Sequence, residues 1–159
     1  MSVTSTRLLV TSIGPSQLLQ FDAGGEQLRR VDLPECVDPE HTPSSRRPAW
    51  TFIVGHYSLL DRQHQLSEVG AGGEVLRQFS AAHLGRIQHV AGDSRGHAFV
   101  AVDGRVLLLD AQLALRRVVV DEHRLSNKKP RRLCYVEQSG QLLVVLGRRS
   151  VAVFDVFRR

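Results

Sequence analysis

The sequence is poor in several features that mark particular classes of protein. It has two cysteines, Cys36 and Cys134, which stand in unrelated contexts without the spacing of a metal site or a disulfide framework. No apolar run approaches the roughly 20 residues that a membrane-spanning helix needs. Residues 1–10 also lack a basic segment followed by a long apolar stretch. We therefore expect a reducing, cytoplasmic setting and no membrane partner.

Motifs for catalysis and metal binding are equally scarce. The chain contains no HExxH or HxH pattern. Its one GxSxG match, residues 92–96 (GDSRG), falls in a turn between two strand-like segments, not between a strand and a helix as in hydrolases that use this motif. His89 and His97 would flank one hairpin, but a strand histidine and a turn histidine are the simpler interpretation. His56 and His64 bracket a predicted loop over residues 57–63, where we expect them to be solvated. We therefore predict no catalytic residues, no metal and no cofactor.

The position of Cys134 suggests a structural role. It alternates with Leu133 and Tyr135 in a strand-like segment. An uncharged cysteine behaves as a small hydrophobic residue, so we predict that Cys134 is buried. Cys36 lies in a segment rich in proline and acidic residues, where exposure is the expectation.

The charge of the chain is its one global indication of a partner. The formal net charge is +5, and Lys128 and Lys129 are the only lysines, so arginine supplies most of it. A basic balance favours nucleic acids or acidic proteins as partners. The densest basic cluster gives the candidate binding residues Lys128, Lys129, Arg131 and Arg132. Paired arginines elsewhere would have to converge on the same surface to contribute: Arg29-Arg30, Arg46-Arg47, Arg116-Arg117, Arg148-Arg149 and Arg158-Arg159.

An internal repeat organises the chain. The segment from Ala23 to Val31 (AGGEQLRRV) returns 48 residues later from Ala71 to Phe79 (AGGEVLRQF) and again, shortened, from Ala111 to Val118 (AQLALRRV). A strand-like segment precedes each copy, ending in Asp22 and Asp110 for the first and third. A fourth such segment ends in Asp155. We interpret these aspartates as turn caps, since an Asp side chain accepts hydrogen bonds from amides further along the turn.

A second repeated unit has the order strand, polar turn ending in glycine, strand. It covers residues 90–100 (VAGDSRGHAFV) and residues 134–144 (CYVEQSGQLLV). Joined to the first unit it gives four strands every 40 to 48 residues, which is typical of a β-propeller blade. A β-sandwich has similar strand spacing, but its turns need not recur in sequence. The pattern therefore predicts an all-β fold of three to four antiparallel, four-stranded blades.

The best copy of the repeat resembles that of NHL-repeat propellers. Residues 89–96 (HVAGDSRG) are similar to the family's first strand and Asp-x-x-Gly turn, residues 98–101 to its second strand and residues 105–110 to its third. Only Val102-Asp103-Gly104 stands where the family has a longer polar loop, and Pro43 to Pro48 replace the turn of the second blade. The resemblance extends over about Leu8 to Val156. It implies a propeller that binds a partner through its loops.

The repeated order of strands and turns divides the chain, as one repeat domain, into blades at about residues 1–33, 34–79, 80–122 and 123–159. The first blade lacks or curtails its first strand, and the last lacks its fourth. Open sheet edges are normally covered. The alternatives are a longer protein of which this is a part, a homodimer that completes the propeller, or N-terminal strands that complete the last blade.

Three functions follow from these observations. The leading hypothesis is a non-catalytic module that binds a protein partner. The second is RNA binding through the cluster from Lys128 to Arg132; a scarcity of aromatic residues for base stacking counts against it. The third is a relative of metal-dependent propeller hydrolases or lyases, for which no matching ligand set is present.

Overall fold

The computed structural model describes residues 2–4, 7–13, 16–32, 44–46, 51–58, 63–70, 72–80 and 85–157. The secondary structure over these ranges consists of β-strands, and no helix in them is long and apolar enough to cross a membrane. The strands are β1 (Ser2–Thr4), β2 (Arg7–Ile13), β3 (Ser16–Asp22), β4 (Gln27–Asp32), β5 (Ser44–Arg46), β6 (Thr51–Ser58), β7 (Gln63–Val69), β8 (Val75–Ser80), β9 (His89–Gly92), β10 (Ala98–Val102), β11 (Arg105–Leu109), β12 (Leu115–Val120), β13 (Pro130–Val136), β14 (Gln141–Leu146) and β15 (Ser150–Asp155).

The strands form four antiparallel sheets in which each strand pairs with its neighbour in sequence. The first sheet contains β1 to β4, the second β5 to β8, the third β9 to β12 and the fourth β13 to β15. Short polar turns join most successive strands, and such turns are too short for a parallel crossover. The all-β prediction is confirmed. The chain divides into two compact units, Met1–Ala82 with the first two sheets and His83–Arg159 with the other two.

Aspartate side chains close three of the hairpins in the same way. Oδ1 of Asp22 accepts hydrogen bonds from the amides of Gly24 (2.8 Å) and Glu26 (2.9 Å). Oδ1 of Asp110 accepts them from the amides two and four residues further on, both at 2.9 Å. Asp93 does the same in the turn before β10. The predicted capping role is confirmed for Asp22 and Asp110, whereas Asp155 accepts a hydrogen bond from Nε2 of Gln141 (3.3 Å).

In the second sheet the carboxylate that accepts a hydrogen bond from a turn amide comes from the C-terminal end of the turn. Gly70 occupies the position of the capping aspartate, and Oε2 of Glu74 accepts a hydrogen bond from the amide of Gly72 (3.0 Å). A side chain at Gly70 would overlap the Glu74 carboxylate. Addition of a side chain at Gly70 would therefore require the Glu74 carboxylate to move. In both kinds of turn one carboxylate accepts hydrogen bonds from the turn amides.

The core of the second unit lies between the third and fourth sheets. The two sheets contribute Phe99, Ala101, Val106 and Leu108 on one side and Leu133, Leu142, Val144 and Leu146 on the other. The rings of Phe99 and Tyr135 lie 4.7 Å apart between their centroids. Close packing of two sheets through apolar side chains is the main source of stability in such a unit.

Cys134 is exposed, so the prediction that it is buried is wrong. Leu133 faces the third sheet and is buried. Successive side chains of a strand point to opposite faces, which places Cys134 on the face that the third sheet does not cover. The sequence indicated the strand correctly but not which of its faces is packed.

Two other local predictions are corrected. His56 and His64 lie in the paired strands β6 and β7, where His56 pairs with Gln65 and His64 with Tyr57, so the loop predicted over residues 57–63 is shorter. Strand β5 (Ser44–Arg46) lies in the proline-bounded segment expected to replace a turn. Cys36 lies outside the described residues, and nothing tests its predicted exposure.

Candidate functional site

The strand register brings two basic segments together at one end of the fourth sheet. Pro130, the first residue of β13, pairs with Leu146 at the end of β14, and Leu146 pairs with Ser150 at the start of β15. The turn over residues 147–149 therefore lies beside the segment over residues 128–132. We call the six cations of these segments the basic end: Lys128, Lys129, Arg131, Arg132, Arg148 and Arg149, all of them exposed.

The connection that carries the first of these segments is a compact turn. Oδ1 of Asp121 accepts a hydrogen bond from the amide of Arg124 (2.9 Å), and the side chain of Leu125 is fully buried. Ser126 and Asn127 adopt positive φ, at 52° and 56°. Small polar residues tolerate this conformation better than branched ones. The buried leucine and the two left-handed residues hold Lys128 at the surface.

Part of the positive charge is neutralised inside the unit. Nζ of Lys129 lies 3.4 Å from Oδ1 of Asp103, and the guanidinium of Arg105 lies 3.2 Å from Oε1 of Glu122. The side chains of the other five cations of the basic end make no hydrogen bond or ion pair within the described ranges. Their charge is therefore available to a partner.

Exposed aromatic surface lies at the opposite end of the fourth sheet. Phe157 follows β15, and its ring meets that of Tyr135 edge-on at 6.1 Å. A cleft of about 410 Å³ opens there, lined by the two rings and by polar residues of the turns after β9 and β13. Phe99 is fully buried, and the guanidinium of Arg124 covers Phe154, with 5.0 Å from Cζ to the ring centroid. Cations and exposed aromatic rings are thus separated by the length of a strand.

Several polar side chains beside this cleft form hydrogen bonds with one another or with the backbone. Oδ2 of Asp93 lies 2.7 Å from Nδ1 of His97, while Oδ1 of Asp93 caps the turn. Ser94 donates a hydrogen bond to Glu137. Burial, with help from the carboxylates of Asp93 and Glu137, raises the pKa of Tyr135. This phenol stays protonated at neutral pH and can act as a hydrogen-bond donor.

The structure does not bring the histidines of the third sheet together. His89 pairs with Ala101 at one end of the β9–β10 hairpin, and its Nδ1 accepts a hydrogen bond from the amide of Leu133 (3.3 Å). His97 lies beyond the other end, in the turn that Asp93 caps. Over the ranges that are described, no group of three or more His, Cys, Asp or Glu side chains is arranged to hold a metal ion.

All four residues predicted as a binding site lie at the basic end, and two further cations join them. Arg148 and Arg149 were recognised as an arginine pair but could not be placed, because their proximity depends on the pairing of Pro130 with Leu146. A prediction of the hairpin register over residues 130–146 would have placed Arg148 and Arg149 beside Lys128 and Lys129. Arg46-Arg47 and Arg158-Arg159 cannot be compared, since Arg47 and the last pair lie outside the described residues.

The comparisons with known proteins bear on the fold. No family model matches the chain, and no curated protein matches it. Among solved structures, the chain is similar to a protein of unknown function from Bacteroides caccae, whose crystal structure was determined at 1.35 Å resolution. The TM-score is 0.53 with 16% sequence identity, over 90% of this chain and 50% of that one. This chain therefore spans half the length of the structure it matches, and the likeness concerns the fold alone.

Proposed function

We propose that the four sheets are blades of an NHL-type β-propeller and that the chain is a non-catalytic module that binds an acidic protein segment at its basic end. Four successive antiparallel meanders with recurring capped turns support the propeller. Face-to-face packing of the third and fourth sheets also supports it, since blades stack in this way. The five exposed cations without internal partners carry the binding proposal.

The chemistry of the basic end favours carboxylates. Arginine guanidinium groups bind carboxylates through two parallel hydrogen bonds, with more geometric specificity than a single point charge provides. Four of the six cations are arginines, and they lie on two adjacent segments anchored by strand pairing. A flexible segment rich in Asp or Glu could contact both segments at once.

The distribution of aromatic rings favours a protein over RNA. Readers of single-stranded RNA combine cations with aromatic rings on which the bases stack. In the described part of the second unit, Phe157 and Tyr135 lie at the end of the fourth sheet away from the cations. RNA contacting the basic end would therefore bind through its phosphates alone.

Fluorescence anisotropy with labelled polyglutamate and with labelled polyuridine of matched length tests the proposal. We expect saturable binding of polyglutamate that weakens with salt, and weaker binding of polyuridine. The variant Arg148→Glu should lower the affinity for polyglutamate several-fold, because it removes one cation and repels the ligand.

The matched control is Arg95→Glu, which makes the same change of net charge on an exposed residue at the other end of the same unit. It should leave most of the affinity intact. Equal losses in the two variants would indicate an effect of net charge and refute a defined site. Tighter binding of polyuridine than of polyglutamate would favour RNA as the partner.

A further inference from the structure

One face of the fourth sheet exposes apolar side chains at positions that are buried in the other three sheets. Val151 and Val153 lie four and two residues before Asp155, and their exposed fractions are 57% and 55%. Asp22, Gly70 and Asp110 stand at the position of Asp155 in the first three sheets. The residues four and two positions before them are Leu18 and Gln20, Leu66 and Glu68, and Val106 and Leu108. Each of these six residues is exposed by 5% or less. This face is thus covered in the first three sheets and exposed in the fourth.

The open face continues across the whole sheet. In the strand register Val153 lies opposite Leu143, which lies opposite Cys134, and Val151 lies opposite Val145. The two central residues are partly exposed and Cys134 is exposed. We call these five residues the free face. Such a contiguous apolar surface is typical of an interaction site.

The third sheet shows what covers such a face. Val106 and Leu108 of the third sheet, at the positions of Val151 and Val153, pack against the fourth sheet. The covering residues include Leu142 and Val144, on the side of the fourth sheet opposite the free face. The chemistry that fits the free face is therefore the corresponding side of another sheet of this repeat.

The first sheet offers such a side. Leu18 and Gln20 are buried, whereas Leu19 and Phe21, which alternate with them on the other side, are partly exposed. Val10 pairs with Leu19 and is also partly exposed. In the second and third sheets the equivalents of Leu19 and Phe21 are fully buried: Ser67, Val69, Leu107 and Leu109. The first sheet therefore has an uncovered side of the kind that would cover the free face of the fourth sheet.

We infer that the free face is covered by a second copy of this chain, whose first sheet packs on it through Leu19 and Phe21. In the proposed dimer each copy contributes its first sheet to one contact and its free face to the other, so the two interfaces are identical. The solved structure that this chain matches has twice the matched length in a single chain, which is about the length that two copies of this chain supply. The inference does not depend on the acidic partner proposed for the basic end.

The mass of the full chain in solution is the first test. Sedimentation equilibrium should give twice the chain mass of 17.7 kDa. Val153→Glu should produce a monomer that is still folded by circular dichroism. The control Leu76→Lys places a charge on another exposed apolar residue, in an outer strand of the second sheet, and it should leave the dimer intact. A monomeric wild type, or a dimer that Val153→Glu leaves unchanged, would overturn the inference.

Mixing two variants tests which faces meet. Phe21→Lys should also give a monomer, because both interfaces of its dimer would bury a lysine; Leu19→Lys replaces it if the first sheet does not fold. A mixture of Val153→Glu with Phe21→Lys should recover a dimer, because one interface then pairs the carboxylate with the ammonium group and the other is wild type. If Phe21→Lys remains dimeric alone, the free faces meet each other and the inference is wrong.

The thiol of Cys134 reports on the same interface. In the variant Cys36→Ser it is the one remaining thiol. Its reaction rate with a disulfide reagent should fall as the protein concentration rises through the dimerisation range, and it should stay constant when Val153→Glu is added. A rate independent of concentration in both variants would contradict a covered free face.

Discussion

Gly73 lies directly against the main-chain carbonyl oxygen of Asp32, so that a turn of the second sheet touches the end of the outer strand of the first. A methyl group at Gly73 would overlap that oxygen. The residue also has a φ of +88°, in the region that glycine adopts without strain. Gly25, at the equivalent turn of the first sheet, has a φ of +85° with no atom within 4 Å of an added Cβ.

The two glycines allow conformational strain to be separated from steric overlap. Gly25→Ala should destabilise the chain by about 1 kcal/mol, the cost of a left-handed conformation for a residue with a side chain. Gly73→Ala adds a clash with backbone and should cost roughly 1–3 kcal/mol more. Urea denaturation of both variants measures the difference. Equal losses would mean that the two sheets separate easily at this contact.

Leu113 occupies the turn position that glycine holds in the first two sheets. Its φ is +60° and its side chain is 3% exposed, so the cost of the conformation is offset by burial of the side chain. Leu113→Ala should lose about 2–3 kcal/mol of stability. Leu113→Gly should be more stable than the alanine variant by about 1 kcal/mol, because it relieves the strain. The opposite order in thermal denaturation would argue against a strained leucine.

Because of Asp110, the second unit should lose stability as the pH falls into the acidic range. The amides of Ala114 and Gln112 and the guanidinium of Arg116 hold the pKa of Asp110 below its usual value, against the opposing effect of burial. A carboxylate with a lowered pKa in the folded state contributes stability above its unfolded pKa of about 3.9. That contribution is lost as the pH falls through the folded pKa.

Asp110→Asn isolates this effect, because the amide oxygen can still accept the turn hydrogen bonds while the charge is gone. The melting temperature of this variant should lie below that of the wild type at pH 7, and the gap should narrow as the pH falls below 4. A gap that is constant over this range would show that the charge of Asp110 adds nothing to the cap.

Tyr135 should titrate above the ordinary tyrosine value of about 10. Burial is the main cause, and the carboxylates of Asp93 and Glu137 add to it. In the variant Tyr57→Phe it is the one remaining tyrosine, so its ultraviolet absorbance change gives its pKa directly. Adding Glu137→Gln should lower that pKa. Since the raised pKa favours the protonated phenol in the folded state, stability should decline as the pH rises above 10.

The strands and turns of this chain could be predicted from sequence because they depend on local chemistry. The copies that begin at Ala23 and Ala111 led to two turns whose caps are now seen. Cys134 was misplaced because alternation in a strand shows that two faces exist but not which one is covered. Coverage depends on a neighbouring sheet, and no residue of β13 records that neighbour.

The candidate site was predictable only in part, for a related reason. Lys128 and Lys129 stand out as the only two lysines, in the densest basic run of the chain. Arg148 and Arg149 resemble the other arginine pairs in sequence, and only the pairing of Pro130 with Leu146 places them beside that run. The separation of the cations from Phe157 likewise depends on which turns lie at the same end of the sheet.

The pairing of every strand with its sequence neighbour also bears on how the chain acquires its structure. Most of the loops that must close are a few residues long, so the entropy lost in forming each hairpin is small. Each sheet can form once its own residues have left the ribosome, without waiting for a distant strand. Synthesis would therefore release the four sheets in order, and the fourth sheet would emerge after the third sheet, on which it packs.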